Sequence, residues 1–173
     1  VGRFSYWKRQ DLALEVLFYL RKMGVDAALT FIGDGPDLDK INTQVANLKL
    51  QGYVDIIYGI PQIDLPNLIT QYDISMFLYD NGNLGNALWE ACLAGQLICI
   101  RNSGNLNGIF DNNNNSIVVE NEDSAEKIAM SIINTLSNPK INTYGKEIQK
   151  RVDKIIHNWG KRINKEINYI KSK

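Results

Sequence analysis

The sequence predicts an α/β fold: a three-layer, Rossmann-like parallel sheet of about six strands, with helices on both faces and a long C-terminal helix. Two observations predict it. Short β-branched runs alternate strictly with helical patterns, and the runs are apolar enough for strands that are covered on both faces. The runs are residues 27–33, 54–59, 74–79, 97–102 and 116–120. Residues 1–4 read as the tail of a further strand whose beginning is missing.

Helical patterns fill the gaps between these runs, at residues 8–23, 37–50, 65–71, 86–94 and 124–136. The ring of Pro36 suits the first turn of the second helix, and Asp123 is the predicted N-cap of the last one. Gly24, Gly95 and Pro139 follow helical patterns as stop signals. We therefore interpret residues 1–139 as the Rossmann-like body and residues 140–173 as a helical tail of the same domain.

Composition indicates a globular protein with a real core, because 45% of the 173 residues are hydrophobic and 22% are charged. No run approaches the ~18 apolar residues of a membrane span, and no signal peptide is recognised. Cys92 and Cys99 are predicted to be buried, reduced thiols, so we expect a cytoplasmic setting. His157 is the only histidine, which argues against a zinc site.

The tail is basic, whereas the body is acidic. From Lys140 onward there are ten lysines and arginines against three acids, a net charge of +7, and the remainder carries −7 because the total is zero. The tail's apolar residues recur at helical spacing; they are Ile148, Val152, Ile155, Trp159, Ile163, Ile167 and Ile170. A packed stripe with a solvated basic side is the favoured interpretation. Peripheral contact with anionic lipid at the inner face of the membrane is the alternative, and no nucleic-acid partner is expected.

A phosphate and sugar site is predicted where residues 83–95, NLGNALWEACLAG, run from a polar turn into a helix. Backbone N–H groups at a helix start, together with the helix dipole, bind anions without a charged side chain. Glu90, further into the helix, can accept hydrogen bonds from a hydroxyl pair such as that of a ribose. The alternative is a helix that merely packs on the sheet, with Glu90 facing water.

Two cations flank the end of the first strand, since Gly2 and Arg3 end it and Lys8 begins the following helix. A forked guanidinium and a mobile ammonium suit a diphosphate, although surface cations are the simpler alternative. Gly33 and Asp34 open a glycine turn that brings main chain close to the strand ends. The GxGxxG, GxxxxGK[ST] and GxSxG motifs are missing, which disfavours nicotinamide enzymes, P-loop hydrolases and serine hydrolases.

Six segments in order carry a resemblance to a known family. They are residues 1–8, 31–41, 54–79, 83–95, 103–119 and 157–167. The chain resembles the donor-binding, C-terminal half of a retaining glycosyltransferase of family 4 with the GT-B fold. The resemblance covers nearly the whole chain. It implies a second Rossmann-like half that binds the acceptor, precedes Val1 and is missing here, so this fragment alone is expected to be inactive.

The resemblance also implies roles for individual residues. Arg3 and Lys8 are the catalytic residues, which neutralise the departing diphosphate, and Glu90 holds the ribose hydroxyls. The nucleobase lies at residues 58–60, and the helix start at residues 84–86 meets the phosphate and the transferred sugar. Trp159 matches an aromatic residue of the tail helix that returns towards the first half. The full donor-binding set is Gly2, Arg3, Lys8, Gly33, Asp34, Tyr58, Gly59, Ile60, Asn83, Leu84, Gly85, Asn86 and Glu90.

The sequence departs from the family pattern at two positions. Gly82 stands eight residues before Glu90, where the family has a second glutamate that contacts the sugar, and Gly108 stands where an acid is common. Asp80, Asn81 or Asn83 could supply the missing sugar contact.

The predicted function is transfer of a hexose, with retention and without a metal or other cofactor, from a UDP- or GDP-type sugar to an acceptor held by the other half. Cell-surface glycan or lipid-linked saccharide synthesis is the expected setting. A sugar-nucleotide epimerase of the same architecture and a non-catalytic nucleotide-binding module are the alternatives.

Overall fold

The computed structural model describes residues 1–82, 84–104, 106, 108–112, 114–156 and 168. In chain order its elements are a 3-10 helix (Tyr6–Lys8), α1 (Gln10–Lys22), β1 (Leu29–Ile32), α2 (Leu38–Asn47), β2 (Val54–Ile57), α3 (Leu65–Ile69), β3 (Ile74–Phe77), α4 (Asn86–Leu93), β4 (Leu97–Arg101), β5 (Ser116–Val119), α5 (Ala125–Leu136) and α6 (Ile141–Ile155). The predicted α/β class is confirmed, and each of the five predicted strand runs contains one strand.

The strand pairs in the described residues are all parallel. One group pairs β1 with β2, with Leu29 opposite Val54, and the other has the order β3-β4-β5. All five residues of β4 are buried, because this strand has a neighbour on each side. The described residues form five strands where the sequence predicted about six.

Helices cover both faces of the strands, as predicted. Alternate residues of β4 point to opposite faces, so Cys99 joins one hydrophobic cluster and Ile100 the other. The first cluster lies beneath α1, α2 and α5, and α1 packs against α5. The second lies beneath α3, α4 and α6, and α6 packs against α4. Both cysteines are free and buried, as the sequence predicted.

Residues 1–4 run beside the carboxyl end of β1. The Gly2 amide donates to the carbonyl of Ile32 at 2.8 Å, and the Phe4 amide donates to that of Asp34 at 2.9 Å. The predicted strand tail is therefore an extended segment, although no strand is assigned to it. A cavity of about 480 Å³, here called the β1–β3 cleft, lies between β1 and β3. Its lining includes Ala28, Leu29, Thr30, Ile74 and Met76.

The predicted cap of α5 is wrong by one residue. Ser124 is the N-cap, and its Oγ accepts from the Lys127 amide at 3.2 Å. Asp123 instead accepts from the Glu120 amide at 2.9 Å and forms an ion pair with Lys127 at 2.5 Å. Serine and aspartate are both good caps, so the local turn, which ties Asp123 to residue 120, decides between them.

Two other helix starts lie later than predicted. Arg9 adopts the left-handed conformation, with φ of 54°, and separates the 3-10 helix from α1. Consequently Lys8 belongs to the 3-10 turn rather than to α1. Pro36 lies two residues before α2, whose N-cap is Asp37.

The described part of the tail is α6. Ile148 and Val152 are fully buried, as predicted for the apolar stripe, but Ile155 is 49% exposed, so its predicted burial is wrong. Ile155 ends the helix, and the next residue, Ile156, packs against the second hydrophobic cluster in its place. The predictions for His157, Trp159, Ile163, Ile167 and Ile170 fall outside the described residues. Among the described helices, none is long and apolar enough to cross a membrane.

Candidate functional site

The candidate site lies at the edge where the parallel strands end. Two glycines let main chain approach main chain closely there. A Cβ atom on Gly33 would lie 2.1 Å from the carbonyl oxygen of Gly2, and one on Gly35 would lie 2.2 Å from that of Phe4. Only glycine permits this approach, so the turn after β1 holds residues 2–4 against the strand end, as the sequence predicted.

Arg3 is exposed beside this turn. It lines a shallow depression together with Asp34, Gly35 and Pro36. The Asp34 carboxylate accepts from the Gly35 amide at 2.6 Å, which fixes the turn. The carbonyl of Arg3 accepts from the side chain of Gln10 at 3.0 Å. The backbone at Arg3 is thus anchored to α1 while its guanidinium reaches solvent, where a ligand can meet it.

Lys8 is half-buried, and its ammonium lies over two aromatic rings. The Nζ atom is 4.2 Å from the ring centroid of Trp7 and 3.6 Å from that of Tyr79. Burial lowers the pKa of Lys8 below its ordinary value. Tyr79 lies two residues after the end of β3, so Lys8 connects the N-terminal segment with the β3 edge.

The start of α4 is open. Its N-cap is Gly85, which has no side chain to cap the helix, and Asn86 is the first helical residue. Because α4 follows β3 in a parallel arrangement, its first turn lies at the edge where the strands end, which is where a phosphate site is expected. Leu84 packs against the second hydrophobic cluster and fixes the turn before the helix. Asn83 lies outside the described residues.

Glu90 is half-buried and does not simply face water. Its Oε1 accepts from the Nε2 of Gln62 at 3.4 Å. Gln62 belongs to the loop after β2, whose earlier residues include the exposed Tyr58 and Gly59 and the half-buried Ile60. The predicted ribose-binding carboxylate therefore contacts the loop that also carries the predicted base-binding segment.

The carboxylate of Asp80 is held by two arginines. Its Oδ1 accepts from Arg9 at 3.0 Å and from Arg101 at 2.7 Å. Arg101 also donates to the carbonyl of Asn121. The sequence offered Asp80 as a sugar contact, but these ion pairs make it a cross-link between the N-terminal segment and the ends of β3 and β4.

The two departures from the family pattern lie in turns that need glycine. Gly82 and Gly108 both have φ of 68°, a left-handed conformation that side chains disfavour. Arg151 of α6 donates to the carbonyls of Gly108 and Ile109 at 3.1 Å each, and lies 3.7 Å from the carboxylate of Asp111. The loop after β4 is thus fastened to α6.

Sequence reasoning missed three contributors to this edge: the aromatic pair Trp7 and Tyr79, the arginine cross-link through Asp80, and the Gln62 partner of Glu90. The aromatic residues are adjacent to a predicted cation and to a predicted strand end, which was the available signal. The other two contacts join residues far apart in the chain. Within the described residues, no group of three His, Cys, Asp or Glu side chains is placed to hold a metal ion.

Most of the chain matches a known protein family. The sequence profile of the glycosyl transferases group 1 family matches residues 1–162. The chain belongs to this family. A search of curated proteins finds no match.

Solved structures of glycosyltransferases share the fold. HepE from Anabaena, in complex with UDP, has a TM-score of 0.83 at 18% identity, with 99% of this chain and 47% of HepE covered. The C-terminal domain of LpcC, a glycosyl transferase group 1 family protein from Francisella tularensis, has a TM-score of 0.77 at 20% identity, with 89% and 82% covered.

A third similar structure is a point mutant of S. aureus TarM, solved in complex with fondaparinux, alpha-GlcNAc-glycerol and UDP; its TM-score is 0.81 at 17% identity, with 96% of this chain and 34% of TarM covered. This family member therefore has the Rossmann-like fold of GT-B glycosyltransferases, and it spans about half the length of HepE.

Proposed function

We propose that this chain is the donor-binding half of a retaining, family 4 glycosyltransferase that transfers a hexose from a nucleoside-diphosphate sugar. The observation that carries the proposal is the open start of α4 with Glu90 beside the loop after β2. An anion-binding helix start and a hydroxyl-accepting carboxylate on one short helix suit the phosphate and ribose of one nucleotide. Membership of the glycosyl transferases group 1 family supports the interpretation that this nucleotide belongs to the sugar donor of a glycosyl transfer.

In the proposed reaction, negative charge accumulates on the departing diphosphate. Arg3 meets it with a forked pair of donors, and Lys8 meets it with a point charge. The amides at residues 84–86 add fixed dipoles that need no rearrangement as the charge develops. Interactions that strengthen as the bond breaks lower the barrier, so these groups act as catalysts and not only as binders.

In this proposal the ribose lies at Glu90 and the base lies at the loop after β2. Glu90 accepts hydrogen bonds from two ribose hydroxyls and exchanges its long contact with Gln62 for them. Tyr58, Gly59 and Ile60 form the base site, where the exposed ring of Tyr58 offers a stacking surface. UDP is the nucleotide bound by HepE and TarM, and we propose a UDP- or GDP-type donor here.

The sugar contacts differ from the family pattern in this proposal. Gly82 has no side chain to replace the usual glutamate, and Asp80 is engaged by two arginines. The neighbouring amides of residues 84–86 and the side chains of Asn81 and Asn83 then hold the hexose. We also propose that transfer needs no metal, since Arg3 and Lys8 supply the positive charge that neutralises the diphosphate.

We propose further that the acceptor is a sugar or a lipid-linked saccharide held by a second Rossmann-like half. The reaction then takes place in the cytoplasm, and its product is used for cell-surface glycans. The basic side of the tail supports peripheral contact with anionic lipid at the inner face of the membrane.

A thermal-shift panel of UDP, GDP, ADP and their sugars tests the donor site. A ligand that binds only the folded state stabilises it by roughly 2.7 kcal/mol at a hundredfold excess over Kd. We expect either UDP or GDP to raise the Tm and ADP to do so least, and addition of EDTA to leave the shift unchanged. A panel without any shift would contradict the proposal.

Arg3→Ala and Lys8→Ala should each weaken binding of the diphosphate by roughly 1.5 to 3 kcal/mol, because each removes a charged hydrogen-bond donor. Binding of uridine or guanosine should hardly change, since the cations act on phosphate alone. Lys40→Ala, which removes an exposed lysine of α2, is the matched control. Equal losses for nucleoside and diphosphate in calorimetry would exclude the phosphate role.

A further inference from the structure

The ammonium of Lys8 has an aromatic seat, defined here as the rings of Trp7 and Tyr79. Its Nζ lies 4.2 Å from one centroid and 3.6 Å from the other, well inside the ~6 Å range of cation–π attraction. The two rings also contact each other edge to face, with centroids 5.9 Å apart and planes at 77°. Lys8 is therefore held by two mutually braced rings.

The seat is itself fixed to the sheet. Tyr79 is only 7% exposed, packs edge to face on Phe77 at 5.9 Å, and donates from its hydroxyl to the carbonyl of Val1 at 3.3 Å. The amide of Asp80 donates to the carbonyl of Trp7 at 2.9 Å. These contacts attach the Tyr79 ring and the Trp7 backbone to the end of β3.

No carboxylate in the described part of the chain forms an ion pair with Lys8. Among the ion pairs of the described residues, the neighbouring Arg9 pairs with Asp11 and Asp80, but Lys8 pairs with none. An aromatic face attracts a cation and leaves its charge intact, whereas a carboxylate would compete with a phosphate for it. The ammonium thus keeps donors for an incoming anion.

We propose that Trp7 and Tyr79 are positioning residues that hold the Lys8 ammonium ready for the diphosphate of the donor. This inference rests on the proposed function. A free lysine side chain loses much rotamer freedom when it binds a ligand, and a lysine already seated loses less. The seat therefore increases affinity for the diphosphate and leaves affinity for the nucleoside unchanged.

Calorimetric titration of UDP, GDP and the two nucleosides into the wild type, Tyr79→Phe, Tyr79→Leu and Trp7→Leu tests the seat. Tyr79→Phe keeps the ring and should bind the diphosphate as the wild type does. The two leucine variants should weaken diphosphate binding roughly threefold to tenfold, the size of a cation–π contact, and leave nucleoside binding unchanged. Trp7 is half-buried, so its variant provides the test if Tyr79→Leu does not fold.

The same leucine substitutions in a Lys8→Met background separate positioning from general damage. If the rings act through Lys8, they should add no further loss once the ammonium is gone. The seat alone would be overturned if the leucine substitutions weakened diphosphate binding equally with and without Lys8. It would also be overturned if Tyr79→Phe weakened diphosphate binding as much as Tyr79→Leu. A wild type that binds neither UDP nor GDP would overturn the proposed function together with the seat.

Discussion

Two carboxylates at the strand-end edge differ in what surrounds them. The Oδ1 of Asp80 accepts from two guanidinium groups, so its charge is compensated within the protein. Among the residues that the structure describes, Glu90 has one hydrogen-bond partner, the neutral amide of Gln62 at 3.4 Å. A carboxylate with a weak neutral partner can exchange it for a ligand hydroxyl at little cost. Glu90 is therefore the better candidate for ligand contact.

Glu90→Gln should weaken nucleoside diphosphate binding by roughly 1 to 3 kcal/mol, because a neutral amide accepts hydroxyl hydrogen bonds less strongly than a carboxylate. Isothermal titration of UDP and GDP measures the change. Glu126→Gln, which alters an exposed acid in the first turn of α5, is the control. Full affinity in a well-folded Glu90→Gln variant would remove Glu90 from the site.

At the scale of residues, the sequence predicted individual site residues better than it predicted which residues contact each other. The glycines at 33 and 35 indicated a close backbone approach, and the structure has it. The missed contacts, Gln62 with Glu90 and Arg101 with Asp80, join residues 28 and 21 positions apart. Such pairs depend on how loops from different strands converge, which local patterns do not encode.

At the scale of elements, α6 docks through a contact between two backbones. A Cβ atom on Gly145 would lie 1.8 Å from the carbonyl oxygen of Gly95. Gly145 lies inside α6, and Gly95 follows α4. This glycine pair allows α6 to approach the turn after α4 and to bury Ile148 and Val152.

Gly145→Ala should therefore destabilise the protein, although alanine favours an isolated helix by about 1 kcal/mol. Forcing a methyl group against backbone typically costs roughly 1 to 3 kcal/mol or more, so we expect the steric effect to exceed the helix propensity. Urea unfolding measures the difference. Lys146→Ala, at the next position of α6, should be nearly neutral; a stabilised Gly145→Ala variant would refute the close contact.

The elements themselves were largely predictable, because periodicity and β-branched runs report burial directly. All five strand runs contain strands, and the basic tail begins with a helix. Helix starts were less predictable. Asp123 and Ser124 are comparable caps, and the left-handed Arg9 breaks a helical pattern that its sequence does not interrupt. Ile155 fits the apolar spacing yet is exposed, because spacing does not tell which of the adjacent residues Ile155 and Ile156 packs against the body.

At the scale of the whole molecule, burial of two thiols makes the free energy of unfolding depend on pH in the alkaline range. Burial raises the pKa of Cys92 and that of Cys99 to about 12. Unfolded thiols ionise near pH ~8.5. The folded pKa is the higher one, so the folded state is favoured at low pH and loses this advantage as the pH rises above about 9.

We expect the free energy of unfolding to fall by roughly 2 kcal/mol between about pH 9 and pH 10 from these two thiols. Denaturant unfolding at both pH values measures it, and a Cys92→Ala/Cys99→Ala variant should show a smaller pH slope. Both thiols should react with a disulfide reagent only after unfolding. Rapid reaction in the folded state would contradict their burial.

The 173-residue chain should bind donor nucleotide weakly and transfer no sugar. Under the proposed function, transfer requires donor and acceptor to be held together with water excluded, and this chain supplies only the donor side. A radiolabelled donor incubated with candidate acceptors measures transfer, and joining a second, acceptor-binding half should restore it. Robust transfer by residues 1–173 alone would refute the two-half arrangement.

The β1–β3 cleft also has a consequence for local unfolding. In the described residues, β1 pairs only with β2 among the strands, and β3 only with β4. The first pair can therefore open without breaking a strand-to-strand hydrogen bond of the second group, and its amide hydrogens should exchange with solvent sooner than those of β4. A nucleotide that contacts Arg3, beside the turn after β1, and the start of α4 together would bridge the two groups. Amide hydrogen exchange in the two groups of strands would then slow towards one common rate.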